Sequence, residues 1–156
     1  MAIAQRLQDY LQASQVAYSL LRHPRAVTSQ ESARLAEVPD DHLAKGVVLK
    51  DAQGYLLLVL PANHHLRLHA CRELLQRELE LASEAELAEL FPDCAPGAVP
   101  ALGPAYGLET WMDEALATLA RVYFEAGDHE SLVQVSGEAF RTLLGPARCG
   151  WFSHPG

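Results

Sequence analysis

The sequence predicts a single α/β domain with a mixed, largely antiparallel sheet flanked by helices. Three observations carry that prediction. Strand-like segments outnumber long helices, and several are joined by turns of only a few residues. Helix starts are marked by capping signals rather than by long heptads. The chain has 156 residues, 49% of them apolar and 21% charged, which suits one globular core spanning residues 1–156.

The elements follow in order. Ile3, Leu7, Tyr10 and Leu11 form one stripe of a helix from about Ala2 to Ser14. A short strand follows at Ala17–Leu21. Thr28 and Glu31 have capping-box spacing and open a helix that ends near Val38-Pro39. Leu43–Lys50 reads as a strand, Asp51–Gly54 as a turn, and Tyr55–Leu60 as the returning strand. Asn63 is placed to cap a helix through Arg77, with Leu68, Cys71, Leu74 and Leu75 facing inward. Ser83 and Glu86 repeat the capping spacing before a helix at Glu84–Phe91.

Between Pro92 and Pro104 lie four prolines and two glycines in thirteen residues, which excludes a helix or a central strand. A stiff loop is expected there, with Val99 and Leu102 available as anchors. Strands near Glu109–Met112, Arg121–Glu125 and Leu132–Val135 follow, the last two joined by the turn Gly127-Asp128-His129. Ser136 caps a final helix to Leu144, and residues 146–156 form a C-terminal tail.

Composition excludes several classes. The longest apolar run, Tyr55–Leu60, is six residues and too short to span a bilayer, so no membrane partner is expected. The N-terminus lacks a basic start followed by an apolar stretch, so no signal peptide is read there. Three cysteines without CxxC spacing fit a reducing cytoplasm better than a disulfide framework or a zinc site. The net charge of −8 is uneven: +1 over residues 1–50, zero over 51–78 and −9 over 79–156. Broad binding to a nucleic-acid backbone is disfavoured, whereas recognition of one strand end by the first half is allowed.

Lys45 is the first candidate for chemistry. Alternation places it on one strand face with Val47 and Leu49, so its ammonium is partly enclosed and needs an anion or several hydrogen-bond acceptors. A stem that snorkels to water is the structural alternative. His65 and His69, four apart on the expected helix, are a weak metal pair with no completing ligand. Cys94 is a weak nucleophile candidate without a paired base. His129, at a hairpin turn, is placed to hydrogen-bond into a site. No P-loop, GxSxG or dinucleotide fingerprint occurs.

The stretches His42-Leu43-Ala44-Lys45 with Val47–Lys50, Pro96-Gly97-Ala98-Val99-Pro100, and Val122–His129 resemble, in order and spacing, the YbaK/ProX family. That family comprises the editing domain associated with prolyl-tRNA synthetase and its free-standing relatives, and the resemblance covers about residues 15–145. It implies a deacylase that cleaves the ester of a mischarged tRNA carrying a small amino acid, often on the proline tRNA. It implies that Lys45 is the essential lysine at the 3′ end of the tRNA, that Gly97, Ala98, Val99 and Pro100 line the aminoacyl pocket, and that His129 lies near the pocket histidine. Amides near Gly97–Ala98 would then face the ester carbonyl.

The resemblance further implies no metal and no cofactor, with a water assisted by a hydroxyl of the terminal ribose. The 3′ aminoacyl end of a mischarged tRNA is the expected partner, and the acidic charge leaves room for a synthetase that supplies affinity. Gly46 stands where the family often has threonine, Ala101 where a second proline is common, and Glu37 where a histidine is frequent. Two rival readings follow from the residues: a non-catalytic module that binds an aminoacyl end or a nucleotide, and a metal-dependent hydrolase using His65 and His69.

Overall fold

A computed structural model describes residues 3–156. Helix α1 (Gln5–Ser14) buries Leu7 and Leu11, as the stripe predicts; its expected start at Ala2 lies outside the described residues. Strand β1 (Ser19–Arg22) and helix α2 (Ser29–Ala36) follow. The Thr28 hydroxyl accepts the Glu31 amide, while the Glu31 carboxylate accepts the amide of Val27. Glu37 closes α2 in the left-handed region.

Strand β2 (Leu43–Asp51) pairs along its length with β3 (Gly54–Pro61). The continuous apolar run of β3 is explained by its place in the sheet. Leu57 and Val59 enter one core, and Leu56, Leu58 and Leu60 enter another on the opposite face.

The segment 63–77 departs from expectation. His64–Leu66 form a strand, β4, and the helix, α3, spans only Leu68–Leu75. Cys71 is buried, but Leu74 is exposed rather than inward. Residues 146–156 are also built into the fold. β9 (Arg148–Gly150) joins the main sheet and β10 (Ser153–Pro155) pairs with β4. Phe152, between them, is fully buried. The buried Asp113 carboxylate fastens this segment by accepting the Phe152 amide and the Ser153 hydroxyl.

The remaining elements are β5 (Glu80–Leu81), α4 (Glu84–Leu90), β6 (Glu109–Asp113), β7 (Arg121–Glu125), β8 (Ser131–Ser136) and α5 (Gly137–Leu144). The main sheet runs β1-β8-β7-β2-β3-β6-β9, with β5 also on β2. Four of its ladders are antiparallel and three are parallel, so the expected mixed, largely antiparallel α/β architecture is present. The largest core packs α1 and α5 against one face; Cys71 of α3 and Ala33 of α2 belong to two smaller clusters.

One irregularity of this sheet positions the site. Opposite β3, the other edge of β2 pairs with β7 only at Leu43–Ala44 and with β5 only at Leu49–Lys50. Between these ladders the edge of β2 is uncovered by any strand, and Lys45 lies in the gap.

Candidate functional site

The gap opens into a cavity of about 510 Å³ bordered by Lys45–Val48, the first residues of α2, Glu84 and Leu87 of α4, and Gly97 and Val99 of the proline-rich loop. Lys45 is half-buried. Its ammonium donates to the carbonyls of Ala62 at 3.2 Å and His64 at 2.6 Å. An ammonium has three donors, so these bonds orient it and leave one N–H for a further acceptor. Burial pushes its pKa below the ordinary lysine value.

Gly97 has φ +79, in the left-handed region. The Ala98 amide donates to the Ala95 carbonyl at 3.0 Å, so it is committed to the turn and does not face the cavity as expected. Ala98 and Pro100 are buried beneath the loop and do not border the cavity. The Ala95 amide donates to the Gly127 carbonyl at 2.7 Å, which ties this loop to the turn between β7 and β8.

His129 is on that turn, at φ 59 and almost fully buried. It does not border the cavity but backs it, because a Cβ on Gly97 would lie 3.0 Å from its Nε2. Its Nδ1 is 3.6 Å from the buried Glu125 carboxylate, which itself accepts the hydroxyls of Ser29 and Ser32. The carboxylate raises the imidazole pKa, against the opposing effect of burial. The Asp128 carboxylate accepts the Glu130 amide and the Ser131 hydroxyl, which holds the turn.

The other candidates separate from this site. His65 is on β4 and His69 is on α3, paired with Glu73 at 3.0 Å, so they do not share a helix face. Among the described residues no group of three or more metal-binding side chains converges. Burial pushes the Cys94 thiol up to about 12, which leaves it protonated near neutrality and unsuited to nucleophilic attack. Among the described residues no helix is long and apolar enough to cross a membrane.

Sequence reasoning missed the role of Glu125, although it lies four residues before His129 in the matched stretch. It also missed Glu84 and Leu87, which the capping pattern marked only as the start of a helix. Lys50 illustrates the opposite case. It is paired with Glu86, which also accepts the Tyr55 hydroxyl, and this cluster pins α4 to the sheet beside the cavity.

A mixed sheet with a lysine in an edge gap, faced by a glycine loop, defines an α/β domain with a cavity able to hold an anionic or strongly polarised group. The chain belongs to the aminoacyl-tRNA editing domain family, which matches residues 23–143. Among solved structures it is similar to one described as "a putative trans-editing enzyme for prolyl tRNA synthetase", with a TM-score of 0.83, 23% identity, and coverage of 97% of this chain and 96% of that one. A second, described as a hypothetical protein, has a TM-score of 0.83 and 23% identity, over 96% and 100% of the two chains. A "putative signal transduction protein" from Marinobacter aquaeolei VT8 has a TM-score of 0.76 and 25% identity over 95% of this chain but 30% of its own. No curated protein matches the chain.

Proposed function

We propose that the protein is a trans-editing hydrolase that removes a small amino acid from a mischarged tRNA, the proline tRNA or a related one. The observation that carries this reading is that Lys45, Gly97 and Val99 border one cavity. Family membership supports the editing role, and the structural neighbour described as "a putative trans-editing enzyme for prolyl tRNA synthetase" supports the choice of tRNA. A synthetase partner would compensate for the weak attraction of RNA to a chain of charge −8.

Water adds to the ester carbonyl carbon, giving a tetrahedral centre with a negative oxygen. That centre collapses with cleavage of the bond to the ribose oxygen, which takes a proton. The products are the free amino acid and a tRNA with its 3′ hydroxyl restored. The free N–H of Lys45 stabilises negative charge, on the terminal phosphate or on the developing oxyanion. Gly97 lets the backbone approach the ester, Val99 walls the cavity, and Ala98, Pro100 and His129 support that wall from behind. A neighbouring ribose hydroxyl orients the water.

The test is deacylation of tRNAs charged with Ala, Cys, Ser, Thr and Pro, by the wild type and Lys45→Ala. Loss of one member's ester is expected, with kcat lowered about 100-fold or more in the variant. Normal turnover by Lys45→Ala would remove the lysine from the mechanism. Gly46, Ala101 and Glu37 replace residues common in the family, and the second half of the chain is acidic, which favours a second reading as a binding module. Saturable binding of charged tRNA without hydrolysis would establish that one.

A further inference from the structure

Residues 64–72 and 146–156 carry three arginines, four of the seven histidines and no carboxylate, whereas the remainder of the chain has a balance of −11. The fold brings these two segments together. His65 of β4 stands opposite His154 of β10, with ring centroids 5.9 Å apart, and the Arg67 amide donates to the Phe152 carbonyl at 2.7 Å. His65, Arg67, Trp151 and His154 are all exposed. Trp151 is 70% exposed, and among the described aromatic side chains it is the one that faces water. Among the described residues Arg67 forms no ion pair, in contrast to Arg77, which is held by Asp51 and Glu109. Glu73, the next carboxylate along α3, is paired with His69.

This surface continues from the cavity. Lys45 stands opposite Leu60 in the β2–β3 ladder, so its side chain emerges on the sheet face that packs Cys71 of α3 and Phe152. The His64 carbonyl that accepts from its ammonium is one residue from His65. The main chain thus leads from Lys45 through His64 and Arg67 to the neighbourhood of Trp151.

We infer that the β4–β10 face is an RNA-binding surface: Arg67 and the histidines take phosphates of the unpaired 3′ strand as it leaves the cavity, and Trp151 stacks on one of its bases. The inference rests on the editing reading for the identity of the RNA. Three physical points carry it. On a chain that repels RNA as a whole, a cationic face fixes both where the backbone lies and which way it runs. An imidazole offers an N–H donor to a phosphate in its neutral form as well as its charged one. An unpaired strand presents unstacked bases, and an exposed indole gains by covering one of any sequence.

The discriminating experiment measures the anisotropy of labelled, uncharged proline tRNA against sodium chloride concentration, with deacylation of the charged form beside it. Trp151→Ala and Arg67→Glu should each raise Kd about tenfold or more, and Arg67→Gln should lower the salt slope of log K by about one. In deacylation the same changes should appear in KM, with kcat at saturating tRNA within about threefold of wild type. Arg121→Glu, exposed at the start of β7, changes the net charge equally and should leave Kd within about twofold. Wild-type affinity in both Trp151→Ala and Arg67→Glu overturns the surface and leaves editing intact. An equal loss in Arg121→Glu overturns it as well, because the RNA would then respond to net charge alone. Dimers that Trp151→Ala abolishes without changing Kd would assign the indole to a second copy of the chain and overturn the inference too. Weakened binding by the variants, with no ester hydrolysed by the wild type, supports the surface and overturns editing.

Discussion

Gly97 and His129 are packed so closely that a side chain on the glycine would crowd its neighbours: a Cβ there would meet the imidazole Nε2 at 3.0 Å and the Val27 carbonyl oxygen at 3.3 Å. The imidazole is almost fully buried, so any shift of its ring must displace packed neighbours. Backbone conformation compounds the problem, since φ is +79 at this residue.

Gly97→Ala should therefore push the loop toward Lys45. The left-handed conformation alone costs about 1–2 kcal/mol with a Cβ present. Deacylation should fall about a hundredfold while thermal melting still shows a folded protein. Unchanged activity would show that the loop's approach does not set the chemistry.

The imidazole of His129 should titrate above its ordinary 6.5, because the Glu125 carboxylate lies beside it. A folded pKa above the unfolded one means that the pair's stabilisation is fully present below the unfolded value. It is lost as pH rises through the folded value. Proton NMR of the ring should give the titration directly, and Glu125→Gln should move it down. Denaturant midpoints between about pH 5 and about pH 8 should then show the wild type losing stability with rising pH, relative to the variant. Parallel curves would rule out the coupling.

Gly46→Thr would restore a residue common in the family, but a Cβ at this position lies 2.8 Å from the Leu57 Cδ1. Leu57 is fully buried. Overpacking should cost about 1–3 kcal/mol in denaturant melts. In a Leu57→Ala background the same substitution should cost at least about 0.5 kcal/mol less. Additive effects would show that the collision relaxes elsewhere.

Thiol labelling separates structural cysteines from accessible ones. Burial raises Cys71 to about 11 and Cys94 to about 12, whereas Cys149 is exposed. A disulfide reagent should modify Cys149 first in the native protein, and deacylation should survive that modification. Fast labelling of Cys94 would contradict the burial that holds its thiol protonated.

The parts of this fold that were legible in the sequence are those with a strong local signal. β2 and β3 announce themselves by branched apolar residues around a turn, and α4 by a Ser83–Glu86 capping box that forms as expected. Lys45 was legible because alternation put a cation on an apolar face, and that face is where it lies, between two small apolar clusters. β4, β9 and β10 were not legible. Each is three residues long, contains His, Arg, Cys, Gly or Pro, and exists only through tertiary pairing. The cavity itself depends on where β7 and β5 stop pairing with β2, and no local pattern encodes where a ladder ends.

The pairing of β10 with β4 reaches further than the edge it covers. His64 of β4 supplies the shorter of the two carbonyl contacts to the Lys45 ammonium, and its ring shares a hydrogen bond with Ser153 of β10. Gly156 donates its amide to Asn63 beside them. The last four residues thus act as a clasp on the aim of a side chain more than a hundred positions earlier. Trimming them, or fusing a bulky tag directly to them, would disturb the lysine without touching it.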